Sequence, residues 1–369
     1  MYDIAIIGAG PAGATVARLL GSRYRVLLVD RRRLDVPYAA HTLAKPCGGL
    51  LAPTAQAELA RQGLGVPSSV IAGSQLFAVR TLDLPANLEQ FYQRFYVNVD
   101  REAFDRWLVG LVPDSVEKAF GWSLTGLERD DGDPFLRFRT SEGGSAGIRA
   151  RLVIGADGAS SLTRRLAHPA VPFPNPYVAV QAAFESGFAD PYYGAVFDSS
   201  LTDFYGWTIP KGGNLLVGAA FRRGPGVAER FDEFVRRVRG SGFRFGAEAS
   251  RCAAMIARPA SPLQLCPGAS NVLLVGEAAG FISPSSAEGI SYALSSGATL
   301  ADALEPGLGG ATARYRAAVL PLALKVCAKG LKSSAIYGVA TRRIVMRSGV
   351  GAIRVQRDLA GSVRATAAH

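Results

Sequence analysis

The sequence predicts an α/β fold in which a parallel-sheet domain is interrupted by a second, mostly antiparallel sheet and followed by a helical segment. Three observations predict it. An apolar run from Tyr2 to Ile7 passes at once into Gly8-Ala9-Gly10-Pro11-Ala12-Gly13 and a helix-like stretch through Leu20. Two later buried-strand runs, Leu152-Val153-Ile154 and Asn271-Val272-Leu273-Leu274-Val275, each end in a glycine-rich turn. Between them, residues 172 to 262 are rich in β-branched and aromatic residues and broken by turns such as Lys211-Gly212-Gly213, as in an antiparallel sheet.

Each element follows in order. The first glycines have the Gly-x-Gly-x-x-Gly spacing between a strand and a helix. A second apolar run, Arg25 to Val29, then ends in Asp30, roughly 20 residues on, beside Arg31. Gly8 permits the tight turn, Gly10 lets backbone approach a pyrophosphate, and Gly13 lets helix and strand pack closely. Pro11 and Ala12 open the helix whose N-terminus donates to phosphate. Asp30 is placed to accept from an adenosine ribose. This unit reads as a Rossmann-type site for an ADP-containing dinucleotide. Residues 31 to 53 are irregular and contain Lys45-Pro46-Cys47-Gly48-Gly49. Residues 70 to 97 alternate loosely as strands, and Asp100 opens a helix with Phe104, Trp107 and Leu108 on one face. The tail is helical, with Leu320, Leu324, Cys327 and Leu331 on one face and Lys325, Lys329 and Lys332 beside them. The expected division is residues 1–70, 98–170 and 268–310 for nucleotide binding, 71–97 and 171–267 for a substrate sheet, and 311–369 for a basic helical segment.

Composition excludes several classes. The chain has 369 residues, 49% of them hydrophobic, enough for a large core. Its four cysteines form no Cys-x-x-Cys pair, and no apolar run reaches membrane-spanning length. A reducing, cytoplasmic setting is the expectation. His41 and His168 have no partner at ligand spacing, so no metal is expected. Net charge is +11, and eleven basic residues against one acid after residue 310 place +10 of it in the tail. Such a tail suits an anionic membrane surface, with the protein peripheral on the inner face, or an acidic partner, or no partner at all. Nucleic acid is disfavoured because no reading motif accompanies the charge.

Three further motifs separate FAD from NAD. Gly155-Ala156-Asp157-Gly158 follows a strand, with Arg164 soon after; Gly276-Glu277-Ala278-Ala279-Gly280 follows another and precedes Pro284 and Gly289; Arg101-Glu102-Ala103-Phe104-Asp105 starts a helix. In this order they resemble the FAD-dependent superfamily typified by p-hydroxybenzoate hydroxylase. The resemblance implies FAD, with Arg101, Asp157, Gly158 and Gly276 at the cofactor. Glu277, standing where Asp is usual, would face the ribityl chain, and the helix opening at Gly289-Ile290 would point its N-terminus at the flavin ring. Lys45, Cys47, Gly48 and Gly49, the run Phe204-Tyr205-Gly206-Trp207-Thr208-Ile209-Pro210-Lys211, and the loop Phe281 to Ile290 resemble the geranylgeranyl reductase family, and within it the bacterial CbrA-like flavoproteins. The likeness runs from residue 1 to about 350, with Ile209 where that family has Phe.

That family resemblance implies reduction of isolated prenyl double bonds of an apolar, lipid-like substrate by flavin-borne hydride. Tyr205 and Trp207, two apart on a strand, would present π faces to a developing cation, or else serve as core aromatics. Cys47 would relay a proton beside the flavin, or else fill a tight turn. With no second dinucleotide fingerprint, reducing equivalents come from NAD(P)H visiting the flavin or from a ferredoxin-like donor. Two other readings stay open: an aromatic or polyketide monooxygenase or halogenase, whose Trp-x-Trp-x-Ile-Pro signature Tyr205 to Pro210 approaches, and a non-catalytic FAD-binding protein at a membrane.

Overall fold

A computed structural model describes residues 1–36, 47–130, 132–187 and 191–355. The strands are β1 (Tyr2–Ile7), β2 (Val26–Asp30), β3 (Leu50–Leu51), β4 (Leu76–Asp83), β5 (Leu88–Asn98), β6 (Glu117–Phe120), β7 (Trp122–Asp130), β8 (Asp133–Thr140), β9 (Ser145–Gly155), β10 (Asn175–Glu185), β11 (Tyr192–Phe197), β12 (Gly206–Lys211), β13 (Asn214–Arg222), β14 (Glu248–Arg258), β15 (Gly268–Ala269) and β16 (Val272–Leu274). The helices are α1 (Pro11–Leu20), α2 (Pro53–Arg61), α3 (Arg101–Gly110), α4 (Leu162–Ala167), α5 (Val227–Gly240), α6 (Ile290–Leu304), α7 (Ala311–Ala318), α8 (Leu320–Tyr337) and α9 (Val339–Ser348).

The first sheet has the order β15-β16-β9-β1-β2-β6, with the β7–β8 hairpin attached through β8 to β9. β1 lies between β2 and β9, parallel to both, with Ile4 opposite Val26 and Leu152. Parallel strands are buried on both faces, which explains the unbroken apolar runs. Ile4, Ile6, Leu28 and Ile154 pack with helix residues Val16, Phe104 and Leu294, while Ala5, Ile7, Val29 and Val153 pack with Leu136 and Phe138 of the hairpin. This third layer, β7 and β8, has no counterpart in the sequence reading. In β8 buried Pro134, Leu136 and Phe138 alternate with exposed Arg137 and Arg139.

The second sheet runs β14-β10-β13-β12-β11-β4-β5-β3. It is antiparallel except that β11 pairs in parallel with β4. α5 covers one face. Residues 227–240, expected as part of the sheet, are helical because Phe231, Phe234, Val235 and Val238 repeat at i, i+3, i+4 and i+7 and bury against Val217, Ala219 and Phe221. The opposite face carries Tyr177, Tyr193, Phe204, Tyr205 and Trp207, with Tyr92, Tyr96 and Tyr337 packed among them.

The helical tail is fastened to both sheets. Tyr315 donates to the Leu274 carbonyl (2.9 Å), and Tyr337 to that of Ser285 (2.9 Å). Buried Arg342 pairs with buried Asp83 of β4 at 2.9 Å. Residues of α8 thus form one wall beside the aromatic face, a part the sequence did not assign to the tail.

Candidate active site

Three glycine turns meet at the C-terminal ends of β1, β9 and β16. Gly8 has φ +107°, and a Cβ there would lie 2.5 Å from the Ala156 carbonyl oxygen. A Cβ on Gly13 would lie 1.8 Å from the Gly8 carbonyl oxygen, and one on Gly276 3.1 Å from the Ala12 Cβ. At Gly10 and Gly158, by contrast, a Cβ would meet nothing within 4 Å. α1 begins with Pro11 at its first position and Gly10 as a cap without a side chain, and α6 likewise begins after Gly289 with no side-chain cap. Two helix N-termini therefore keep first-turn amides available at an open cradle, with Ile290 buried at the start of α6. This donor set suits a pyrophosphate at α1 and an electron-rich ring at α6, so the residues fit FAD.

Around the cradle runs a buried charge chain. Asp30 accepts from the Ala9 amide (2.8 Å) and from the Arg32 amide (2.8 Å). Arg32 also reaches Asp105 (2.8 Å), and Asp105 accepts from Arg101 (2.9 Å). Burial alone would depress both guanidiniums, but Asp30 and Asp105 hold Arg32, and Asp105 and Cys47 hold Arg101, above the ordinary value. Arg32 rather than the exposed Arg31 is the guanidinium drawn inward. Asp105, four residues after Arg101 and on the same helix face, is a member the sequence reading quoted without assigning it a role.

Two acids expected at the cofactor have protein partners of their own. The Asp157 carboxylate is engaged locally: Ser161 Oγ donates to it at 2.5 Å and the Thr163 amide at 3.0 Å, fixing the start of α4. Burial still raises its pKa. Glu277 accepts from the Ala257 amide of β14 at 3.0 Å. Its extra methylene carries the carboxylate across to the second sheet. Pro284 contributes its carbonyl, which accepts from Arg258 Nε at 2.8 Å. His168 bonds the Val272 carbonyl, a structural role. Lys45 lies outside the described residues, as do His41 and the turn before Cys47.

The aromatic side of the site is set by the two-residue period of β12 and the residue before it. Gly206 faces α5, where a Cβ would collide with Phe234. Tyr205, Trp207, Ile209 and Lys211 face the other way. Tyr205 donates to the Ser286 carbonyl (2.7 Å) and accepts from Tyr193 (3.2 Å). Burial pushes its hydroxyl up to about 12. Trp207 sits edge-on to Tyr205, ring centres 5.9 Å apart, its indole anchored on Gln181 (3.0 Å). Ile209 abuts Gly48, whose Cβ would meet it at 2.4 Å. Lys211 donates to the Val99 carbonyl (2.5 Å), and its Nζ would lie 2.8 Å from a Cβ on Gly49. The stripe thus runs from the aromatic wall to the Cys47-Gly48-Gly49 turn.

Lys211 is the residue that sequence reasoning passed over, although it continues the alternation of Tyr205, Trp207 and Ile209. Burial lowers its pKa to about 8. Because the folded value lies below the unfolded value of 10.5, the unfolded chain holds more protons between those limits. Stability attributable to Lys211 is therefore greatest above pH 10.5 and falls as pH drops towards 8. Relative to Lys211→Met, the wild-type chain should gain about 2–3 kcal/mol between pH 8 and 10.5 in urea denaturation. Parallel pH profiles of the two proteins would refute a buried, titrating Lys211.

The FAD binding domain family matches residues 1–181. A geranylgeranyl bacteriochlorophyll reductase-like protein from Thermoplasma acidophilum superposes with TM-score 0.77 at 19% identity, over 93% of this chain and 89% of that one. A mutant of the halogenase PltM in complex with FAD superposes with TM-score 0.68 at 13% identity, over 91% and 76%. The fold is the α/β type with an FAD-binding domain of the p-hydroxybenzoate hydroxylase-like kind. Protein CbrA of Escherichia coli O6:H1 (strain CFT073) is 38% identical over 359 residues, 97% of this chain and 96% of that protein. The chain belongs to the CbrA family.

Proposed function

We propose that the protein is an FAD-dependent reductase of carbon–carbon double bonds in an isoprenoid or similar apolar chain. The observation that carries this reading is the stripe from Tyr205 through Trp207 and Ile209 to Lys211, an apolar aromatic wall ending in a protonated group beside Cys47. Bound FAD supplies two-electron hydride chemistry. Reducing an isolated alkene by this route adds a proton to one carbon and then a hydride to the other. Tyr205 and Trp207 offer π faces to the positive charge that develops between these events, worth roughly 1–2 kcal/mol each. Their hydroxyl and indole N–H are both tied back by hydrogen bonds, which leaves ring faces rather than polar atoms towards the chain. Lys211 holds a proton that burial makes easier to release, and Cys47, hydrogen-bonded by Arg101, stands next to it as relay.

The test is anaerobic. The FAD-loaded protein is reduced with dithionite, freed of excess reductant and mixed with a geranylgeranyl lipid, and flavin absorbance is followed. Lipid-dependent reoxidation with a saturated product is the expected result, slowed about a hundredfold in Cys47→Ser with FAD retained. Lipid that leaves the flavin reduced, together with substrate-coupled oxygen consumption by an aromatic compound, would overturn the reductase in favour of the monooxygenase reading.

A further inference from the structure

The outer side of the C-terminal helices carries a surface that the flavin fold does not use. α8 turns Leu320, Leu324 and Leu331 to solvent, 56%, 61% and 81% exposed. At about 100° per residue these three fall within about 40° of one another on the helix. Lys325 and Lys332, both exposed, lie on one flank of that stripe. α9 and the turn after it add exposed Ile344, Val345 and Val350, interspersed with exposed Arg347 and Arg354. From residue 311 to 355 there are nine basic residues and no acid. The inner sides of the same helices are fixed, by buried Val326 and Ser333 in α8 and by the Arg342–Asp83 pair in α9. The exposed leucines thus stand on anchored helices. Among the described residues no helix is long and apolar enough to cross a membrane.

We propose that α8 and α9 form a peripheral docking surface for a bilayer containing anionic phospholipid. The leucine stripe enters the boundary between headgroups and acyl chains, and Lys325, Lys332, Arg347 and Arg354 meet lipid phosphates. Charge selects this occupant. A second copy of the chain would bring the same acid-free basic segment against itself, whereas an anionic leaflet supplies both an apolar layer and the opposite charge.

The test uses the full FAD-loaded chain and vesicle sedimentation, which reads no flavin chemistry and so stands or falls apart from the reductase proposal. Vesicles of phosphatidylcholine are compared with vesicles in which about one third is phosphatidylglycerol. The protein is expected to pellet with the second and to be released by about 0.5 M salt. Lys325→Glu with Lys332→Glu changes only exposed positions and should weaken binding about tenfold or more, with the visible flavin spectrum unchanged. Leu320→Ser with Leu324→Ser and Leu331→Ser should weaken it comparably. A wild-type chain that ignores anionic vesicles, or variants that bind them as well as wild type, overturns the proposal. A wild-type dimer that the leucine variant dissociates, without vesicle binding, assigns the face to a second copy instead.

Discussion

Gly13→Val is expected to yield a colourless, destabilised protein. The new Cβ would stand 1.8 Å from the Gly8 carbonyl oxygen and 3.2 Å from the Ala156 Cβ. The first neighbour is backbone, so no rotamer change relieves the contact. α1 must move away from the turn after β1, which opens the packing of Val16 against Ile4 and Ile6 and displaces the helix N-terminus from its phosphate position. A cost of about 3 kcal/mol or more follows from overpacking of this kind. Gly10→Ala separates the two consequences. Its Cβ meets no protein atom within 4 Å, so the apoprotein should melt within about 1 kcal/mol of wild type while FAD affinity falls. Urea denaturation of the apoproteins and FAD titration of both variants give the comparison. Normal FAD binding by Gly13→Val would show that the turn does not hold the cofactor as described.

Asp105→Ala should be the most damaging single change among the charged residues. Its fully buried carboxylate joins Arg32 and Arg101, themselves buried. Deleting it leaves two guanidiniums without their shared counter-charge, and breaking a buried pair in this way costs about 3–5 kcal/mol. Arg101 would also lose the support that aims it at Cys47, so FAD affinity should drop beyond the loss of stability. Asp105→Asn keeps the shape and part of the hydrogen bonding and should cost less. A loss below about 1 kcal/mol in Asp105→Ala would mean that water or a neighbouring acid satisfies both arginines, and would remove this chain of charges as a support of the site.

The parts legible in the sequence were local. The strand, glycine turn, helix and terminal acid of the first thirty residues follow from covalent geometry and burial: only glycine adopts φ +107° at position 8 without strain, and only glycine fits at position 13. The alternation through Tyr205, Trp207 and Ile209 is equally local, and so is the N-cap at Asp100, whose side chain accepts from the Ala103 amide at 2.8 Å. α5 was also legible in its 3.6-residue repeat, but the surrounding aromatic and β-branched residues outweighed it.

Other assignments depended on partners far away in the chain. Asp157 and Glu277 look alike as acids after glycine turns. Their different fates, a helix cap and a bridge to β14, depend on what lies within reach of each carboxylate once the sheets are assembled. Lys211 is an ordinary surface lysine in sequence, and its lowered pKa exists only because Gly49 and Val99 close over it. The stripe at Leu320, Leu324 and Leu331 has the spacing of a buried face, yet it points outward, because on the other side of α8 Val326 joins the core of the first domain while Ser333 and Tyr337 meet the loop at Pro284 and the aromatic face. By itself the sequence determined the cofactor-binding unit and its class, since glycine sterics and side-chain period act within a few residues. The tertiary structure alone decided which charges pair, which proton is loosened and which helix face stays open, because desolvation and ion pairing depend on contacts between segments as far apart as residues 83 and 342.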